Sequence, residues 1–357
     1  MKIANSILDS RLSTLPYHMP AEWAPHTRTW LSWPHAQKDW PNKFAPVPWI
    51  FAEMIRAIAR SERVGLLVHN DKIRAQAMEI LDRVGVDLRR IDFTAAPTNR
   101  GWLRDCGAIF VHDETGARVA LNFGFNGWAK YGNYKHDNAV PDIMAASAKT
   151  KRITPRHHNK PIILEGGGID VDGEGTILVT EEWLLSNTQI RNKGFSREDY
   201  ESIFAHYLGA ANTIWLGEGI LGDDTHGHVD DITRFFAPAR VVTVVESSSK
   251  DANYTRLKDN VRRLKKVRDA KGRALEVIEL PMPTPVICEG ERLPASYANF
   301  LITNGAVIVP IFGDVNDRIA LNILAECFKT RDIIPVYARD LVWGLGTIHC
   351  LTQQEIA

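Results

Sequence analysis

A chain of 357 residues, 45% hydrophobic and 24% charged, can bury a sizeable core and is not an intrinsically disordered polypeptide. Lysine plus arginine and aspartate plus glutamate both number 43, so no net charge draws it to nucleic acid or to an anionic membrane. A small molecule is the expected partner.

Along the chain, a strand is expected over residues 28–33, a helix over 49–61, a strand over 63–69 and a helix over 72–85. Strand-like runs follow at 107–111, 118–125, 160–167 and 175–180, then a helix at 196–209 and strands at 212–217 and 239–246. A long amphipathic helix is expected over 253–272, a large proline-rich loop over 280–294, and strands over 306–313 and 332–338. This interleaving defines an α/β class. No low-complexity linker divides the chain, so residues 1–357 read as one domain, with residues 1–16 a loosely ordered N-terminal extension. The N-terminus lacks the apolar core of a secretory signal and no run reaches membrane-span length, which predicts a cytoplasmic protein with no membrane partner. The oligomeric state is open, a homo-oligomer included.

Polar clusters follow or end strands at Asp105, Glu165, His228, Asn299 and Cys350, at roughly 60-residue intervals that suggest loosely repeated modules around one centre. In "NRGWLRDCG", Trp102 and Asp105 suit a flat cation, the ring by cation–π attraction and the carboxylate by paired hydrogen bonds. A surface Arg104–Asp105 pair explains the same residues blandly. In "LEGGGIDVDGEG", three glycines mark tight turns or a close backbone approach, and Glu165 points either into a pocket or into a structural network.

"GDDTHGHVDD" looks at first like a metal site, but its pattern lacks a final histidine and only His349 follows His228, so ligands are short. Read as a strand, "GHVDD" puts His228 and Asp230 on one face and Asp231 on the other, an acid/base group beside a cation-binding carboxylate. The four cysteines, Cys106, Cys288, Cys327 and Cys350, show no CxxC spacing, against a disulfide framework or structural zinc. Cys350 follows a histidine and a glycine-rich loop in "GLGTIHC", an environment that lowers a thiol pKa toward neutrality or deprotonates it when a cationic substrate arrives.

Seven ordered segments, "YHMPAEWAPHTRTWLSWPH", "GWLRDCG", "ILEGGGIDVDGEGT", "GHVDD", "ASYANF", "VPIFGD" and "GTIHCLTQQ", resemble the signatures of agmatine deiminases and related bacterial peptidylarginine deiminases. The resemblance implies a pentein fold, a five-bladed α/β propeller of ββαβ modules with pseudo-fivefold symmetry. It implies hydrolysis of agmatine to N-carbamoylputrescine and ammonia, in polyamine metabolism and putrescine biosynthesis, through a covalent cysteine thiouronium. It implies Cys350 as nucleophile, His228 as general acid/base, Asp105 and Asp230 as guanidinium clamps, and Trp102 and Asn299 lining the pocket, with no metal or organic cofactor; Glu165, Gly346 and Arg100 are further candidates around the substrate.

Several positions depart from the agmatine deiminase pattern. Arg100 stands where those enzymes carry aspartate, Ala108 where they carry proline, and Asp170 where they carry histidine. His226 stands where they carry aspartate, and Gly344-Leu345-Gly346-Thr347 replaces a Gly-Gly-Gly-Asn run. A rim carrying Arg100 favours a carboxylate-ended substrate over an amine-ended one, which keeps arginine or peptidyl-arginine as the alternative, unless Arg100 points into solvent or pairs with a nearby acid such as Asp231. A metal-dependent hydrolase built on "HGHVDD" and a silent binding protein of the same fold are the more distant readings.

Overall fold

The architecture follows from one pairing pattern used five times. In the computed structural model, which describes residues 15–357, the principal strands form five separate mixed sheets. In the sheet of Asp170–Val171, Thr176–Thr180 and Asn212–Leu216, the first pair is antiparallel and the second parallel. The sheets of Thr233–Ala237, Arg240–Val245 and Glu276–Pro281, and of Leu301–Ile302, Ala306–Ile311 and Asp332–Tyr337, repeat that order. Ile109–Asp113, Arg118–Leu121 and Lys151–Ile153 do the same, with Tyr17–His18 added at the edge. In the fifth sheet, Thr352–Ile356 pairs antiparallel with His26–Ser32, which runs parallel to Arg63–Val68 and on to Ile91–Ala95. Each parallel step needs a crossover, and a helix supplies it: Val47–Ile58 and Asp71–Arg83 in the fifth sheet, and Val140–Ser147, Arg197–Leu208, Asn253–Leu264 and Asp317–Cys327 in the others.

The polar clusters sit at equivalent places, but on the opposite side of the strands from the expected one. Leu103–Cys106, Gly166–Gly168 and Val229–Asp231 are short helical turns, and with the loops holding Asn299 and Cys350 each precedes the antiparallel pair of its sheet, a hairpin except for Thr352–Ile356, whose partner is the distant His26–Ser32. The strand expected over 160–167 is replaced by the two-residue strand Lys160–Pro161, a bridge from Ile163 to Gly124 and the glycine turn, because Pro161 cannot donate to a ladder. The helix expected to reach residue 272 ends at Leu264, where Asp269 accepts the backbone N–H groups of Lys271 and Arg273 and closes a turn. The extension expected over residues 1–16 lies, save its last two residues, outside the described residues. Among the described residues no helix is long and apolar enough to cross a membrane.

Candidate active site

These loops bring Asp105, Glu165, His228, Asp230, Asn299 and Cys350 into one buried cluster. "GHVDD" is a turn of 3-10 helix, not a strand, so alternation does not apply and Asp231 faces inward with Asp230. Asn299 organises the terminal loop: its Oδ1 accepts from the Thr347 hydroxyl at 2.7 Å and from the His349 N–H at 3.0 Å. Its Nδ2 donates to Asp231 Oδ1 and to the Cys350 sulfur, both at 3.0 Å. The sulfur stands 3.7 Å from Asp230 Oδ2.

His228 lies between two acids, with Nδ1 at 3.6 Å from Asp105 Oδ1 and Nε2 at 3.5 Å from Glu165 Oε2. Both ring nitrogens, and Oδ1 of Asp230, are buried without a hydrogen-bond partner. Such groups are costly unless the site uses them. Glu165 is both pocket acid and structural tie, since it also binds Arg191 at 3.0 Å and accepts from the Trp183 indole at 2.7 Å. Asp105 accepts from the Trp128 indole at 2.8 Å and from the Gly167 N–H at 3.2 Å. The "GGG" turn permits this by close approach: a Cβ on Gly167 would stand 2.6 Å from His228 Nδ1 and 2.8 Å from Asp105 Oδ1.

Charge follows from this geometry. Burial disfavours ionised His228, but Asp105, Glu165 and Asp230 outweigh it and push the imidazole up to about 9. Burial raises Asp105 to about 6 against the pull of His228. Burial also opposes ionised Glu165, yet Arg191 and His228 hold it down near 2. The Cys350 thiol, contrary to a lowered pKa, is pushed well up by burial and by Asp230, Asp231 and Asp105. His349 does not reach the sulfur, because its two nitrogens face Asp230 and Glu22.

A cavity of about 330 Å³ leads from Cys350 and Asp105 past Trp102 and Trp128 to a mouth with Lys38, Asp224 and Glu291. Trp102 stacks on Trp40, with ring centroids 5.4 Å apart, and donates its indole N–H to Asp39 at 3.0 Å. A Cβ on Gly346 would stand 2.8 Å from the Trp102 ring and 3.3 Å from Sγ of Cys350, so this glycine seats the wall against the sulfur. Arg100 lines the mouth but is not a free cation there: it pairs with Asp39 at 2.6 Å and lies over the Tyr131 ring at 4.1 Å. His226 is not brought in, and hydrogen-bonds Ser186 at 3.0 Å instead. Asp170 pairs with buried Arg234 at 2.5 Å. The two histidines of "HGH" therefore do not converge, although ligand atoms of Asp230, Asp231 and Cys350 lie within 4.8 Å of one another.

The family of Porphyromonas-type peptidyl-arginine deiminases matches residues 18–355. The chain belongs to this family. It is 37% identical to the agmatine deiminase of Stutzerimonas stutzeri over 96% of each chain. It is similar in structure to the agmatine deiminase of Enterococcus faecalis, with a TM-score of 0.87 at 32% identity over 95% of this chain and 96% of that one. A cysteine-to-serine variant of C. jejuni agmatine deiminase with substrate bound gives a TM-score of 0.85 at 29% identity over 96% of each chain. As a member of this family the chain has an α/β fold shared with those structures, and its sequence motifs concealed several site residues. Trp128, Tyr131 and Asp224 lie in loops and Asp39 in the 3-10 turn Gln37–Asp39; the one signal was the density of aromatic and acidic residues in "QKDW", "GWAKY" and "GDDT".

Proposed function

We propose that the protein is a hydrolytic deiminase of a guanidino compound, agmatine before others, forming N-carbamoylputrescine and ammonia. The observation that carries this reading is a buried thiol flanked by two carboxylates, Asp105 and Asp230, with an imidazolium beside them. Two carboxylates match a planar cation by charge-assisted hydrogen bonds, and the unpartnered Oδ1 of Asp230 supplies an acceptor for its N–H groups.

The incoming cation offsets the surrounding negative charge and lowers the thiol pKa, so Sγ gives up its proton to the carboxylate cluster and attacks the guanidinium carbon. His228, protonated at neutral pH, donates to the departing nitrogen; ammonia leaves and a thiouronium joins Cys350 to the substrate. The neutral imidazole then takes a proton from water, whose oxygen adds to the same carbon. Collapse breaks the C–S bond and yields the ureido product. No step requires a metal or organic cofactor.

Five ββαβ sheets with their entry loops converging on Cys350 support a pentein propeller acting as one domain, and four free cysteines suit a cytoplasmic enzyme. At the mouth, Arg100 is paired with Asp39 and Asp224 with Lys130, which leaves Glu291 and Lys38 of opposite sign, so Arg100 gives no preference for the carboxylate of arginine over an amine-ended tail. A colorimetric ureido-product assay across agmatine, arginine and short arginine peptides tests the proposed function. Product from agmatine in preference supports it, and product from none of the three overturns the deiminase reading.

A further inference from the structure

Among the buried titratable side chains that the mechanism above leaves unused, His349 is the one joined directly to a guanidinium clamp by its ring. His349 is 1% exposed and touches neither the cavity nor the sulfur that follows it in sequence. Its Nδ1 lies 2.7 Å from Asp230 Oδ2 and its Nε2 lies 2.8 Å from Glu22 Oε2. Each ring nitrogen is thus taken up by one acid, and the imidazole bridges the two.

Glu22 is fixed in turn, accepting from Arg234 at 2.8 Å through Oε2 and from the Ile302 N–H at 2.8 Å through Oε1, with Arg104 3.6 Å away. A rigid line thus runs from Arg234 through Glu22 and His349 to Asp230. Only Oδ2 of Asp230 is held by it. Oδ1 is left buried without a partner, while Oδ2 also stands 3.7 Å from the sulfur and the carboxylate lies near the inward-facing Asp231. An acid so close to other acids has two ways to relieve repulsion, rotation or protonation, and a fixed hydrogen-bond partner on Oδ2 opposes both. Burial pushes the Asp230 carboxyl up, and the His349 hydrogen bond is the leading influence that brings it down.

We infer that His349, backed by Glu22, is the positioning residue that locks the Asp230 carboxylate with Oδ1 aimed at the guanidinium. The assignment rests on the deiminase reading, and it makes the residue before the nucleophile part of substrate alignment instead of thiol activation.

The test compares two substitutions that each keep one of the two contacts. His349→Asn retains an N–H near the Nδ1 position and so the grip on Asp230; His349→Gln retains one near Nε2 and reaches only Glu22. Both remove one buried hydrogen bond, so a merely structural role predicts equal losses. With agmatine in the ureido assay, His349→Gln is expected to lose about 100-fold in kcat with a raised KM, the scale of misplacing a reacting group by about 1 Å. His349→Asn is expected to stay within about tenfold of the wild type. Equal activity in both variants, high or low, overturns the inference. Should His349→Gln fail to fold, Glu22→Gln reads the same line from its far end: a kcat lowered about tenfold with raised KM supports it, and unchanged constants overturn it. A wild type that releases no ureido product from any guanidino compound is a different result, overturning the deiminase reading and this inference with it.

Discussion

Cys350 is distinguished from the other three cysteines by its neighbours: only its sulfur accepts from Asn299 and stands beside Asp230. Cys350→Ser should abolish ureido-product formation with an unchanged circular dichroism spectrum, whereas Cys106→Ser, Cys288→Ser and Cys327→Ser should each keep most of it. Asp105→Asn, Asp230→Asn and His228→Ala should each lower kcat/KM by orders of magnitude, because each removes a contact that both binds the guanidinium and aligns its carbon. Arg100 illustrates what the sequence conceals. Its departure from the agmatine deiminase pattern was legible, but its pairing with Asp39 depends on tertiary contact across 61 residues. The expectation that Arg100 selects a carboxylate therefore gives way to a structural one. Arg100→Asp should leave the ratio of kcat/KM for agmatine and arginine unchanged and lower stability by roughly 2 kcal/mol in a denaturant titration. The figure stays below that of a fully buried pair because the Arg100 side chain keeps 18% of its surface.

The glycine turn at Gly166–Gly168 shows how a short element can carry a site. None of its three residues needs a left-handed conformation; they are glycines because side chains would enter occupied space, with a Cβ on Gly166 meeting the Arg104 carbonyl and one on Gly168 meeting the Trp183 ring at 2.4 Å each. Gly167→Ala should lower kcat about 100-fold by displacing His228 and Asp105, measured on the same assay, while the melting temperature changes little beside the loss of activity. Strands with apolar runs, such as Arg240–Val245, were legible because they are buried on both faces. Glu276–Pro281 was not, being an edge strand with exposed glutamates. Nor was Thr352–Ile356, which is wholly buried although its sequence is polar. Two of its side chains are held from other elements: Gln354 accepts from Arg104 at 2.7 Å, and Glu355 pairs with Arg118 at 2.9 Å and accepts from Trp30 at 2.8 Å. The same tertiary control turned "GHVDD" from an expected strand into a 3-10 turn that points both aspartates inward.

Across the molecule, the α/β order and the roughly fivefold spacing were readable because each module repeats one local programme, hairpin, helix, parallel strand. The electrostatic coupling at their meeting point was not, since it depends on distances between loops far apart in sequence. That coupling gives activity a bell-shaped pH dependence. As pH falls through about 6 Asp105 is protonated and loses its grip on the cation; as pH rises through about 9 His228 loses the proton it must donate, and the two limbs belong to the cluster as a whole. Stability follows the same groups. The folded pKa of His228 is raised above its unfolded value near 6.5, so its contribution is fully present below about pH 6.5 and is lost as pH rises through about 9; the melting temperature should decline between pH 7 and 9.5, and a flat profile would contradict the assignment. The most direct measurement of the account as a whole is peptide mass spectrometry on enzyme quenched in acid during turnover of agmatine. The predicted result is an adduct of agmatine less ammonia on the peptide that holds Cys350, absent from Cys350→Ser; sustained turnover by Cys350→Ser with no adduct on any cysteine would contradict it.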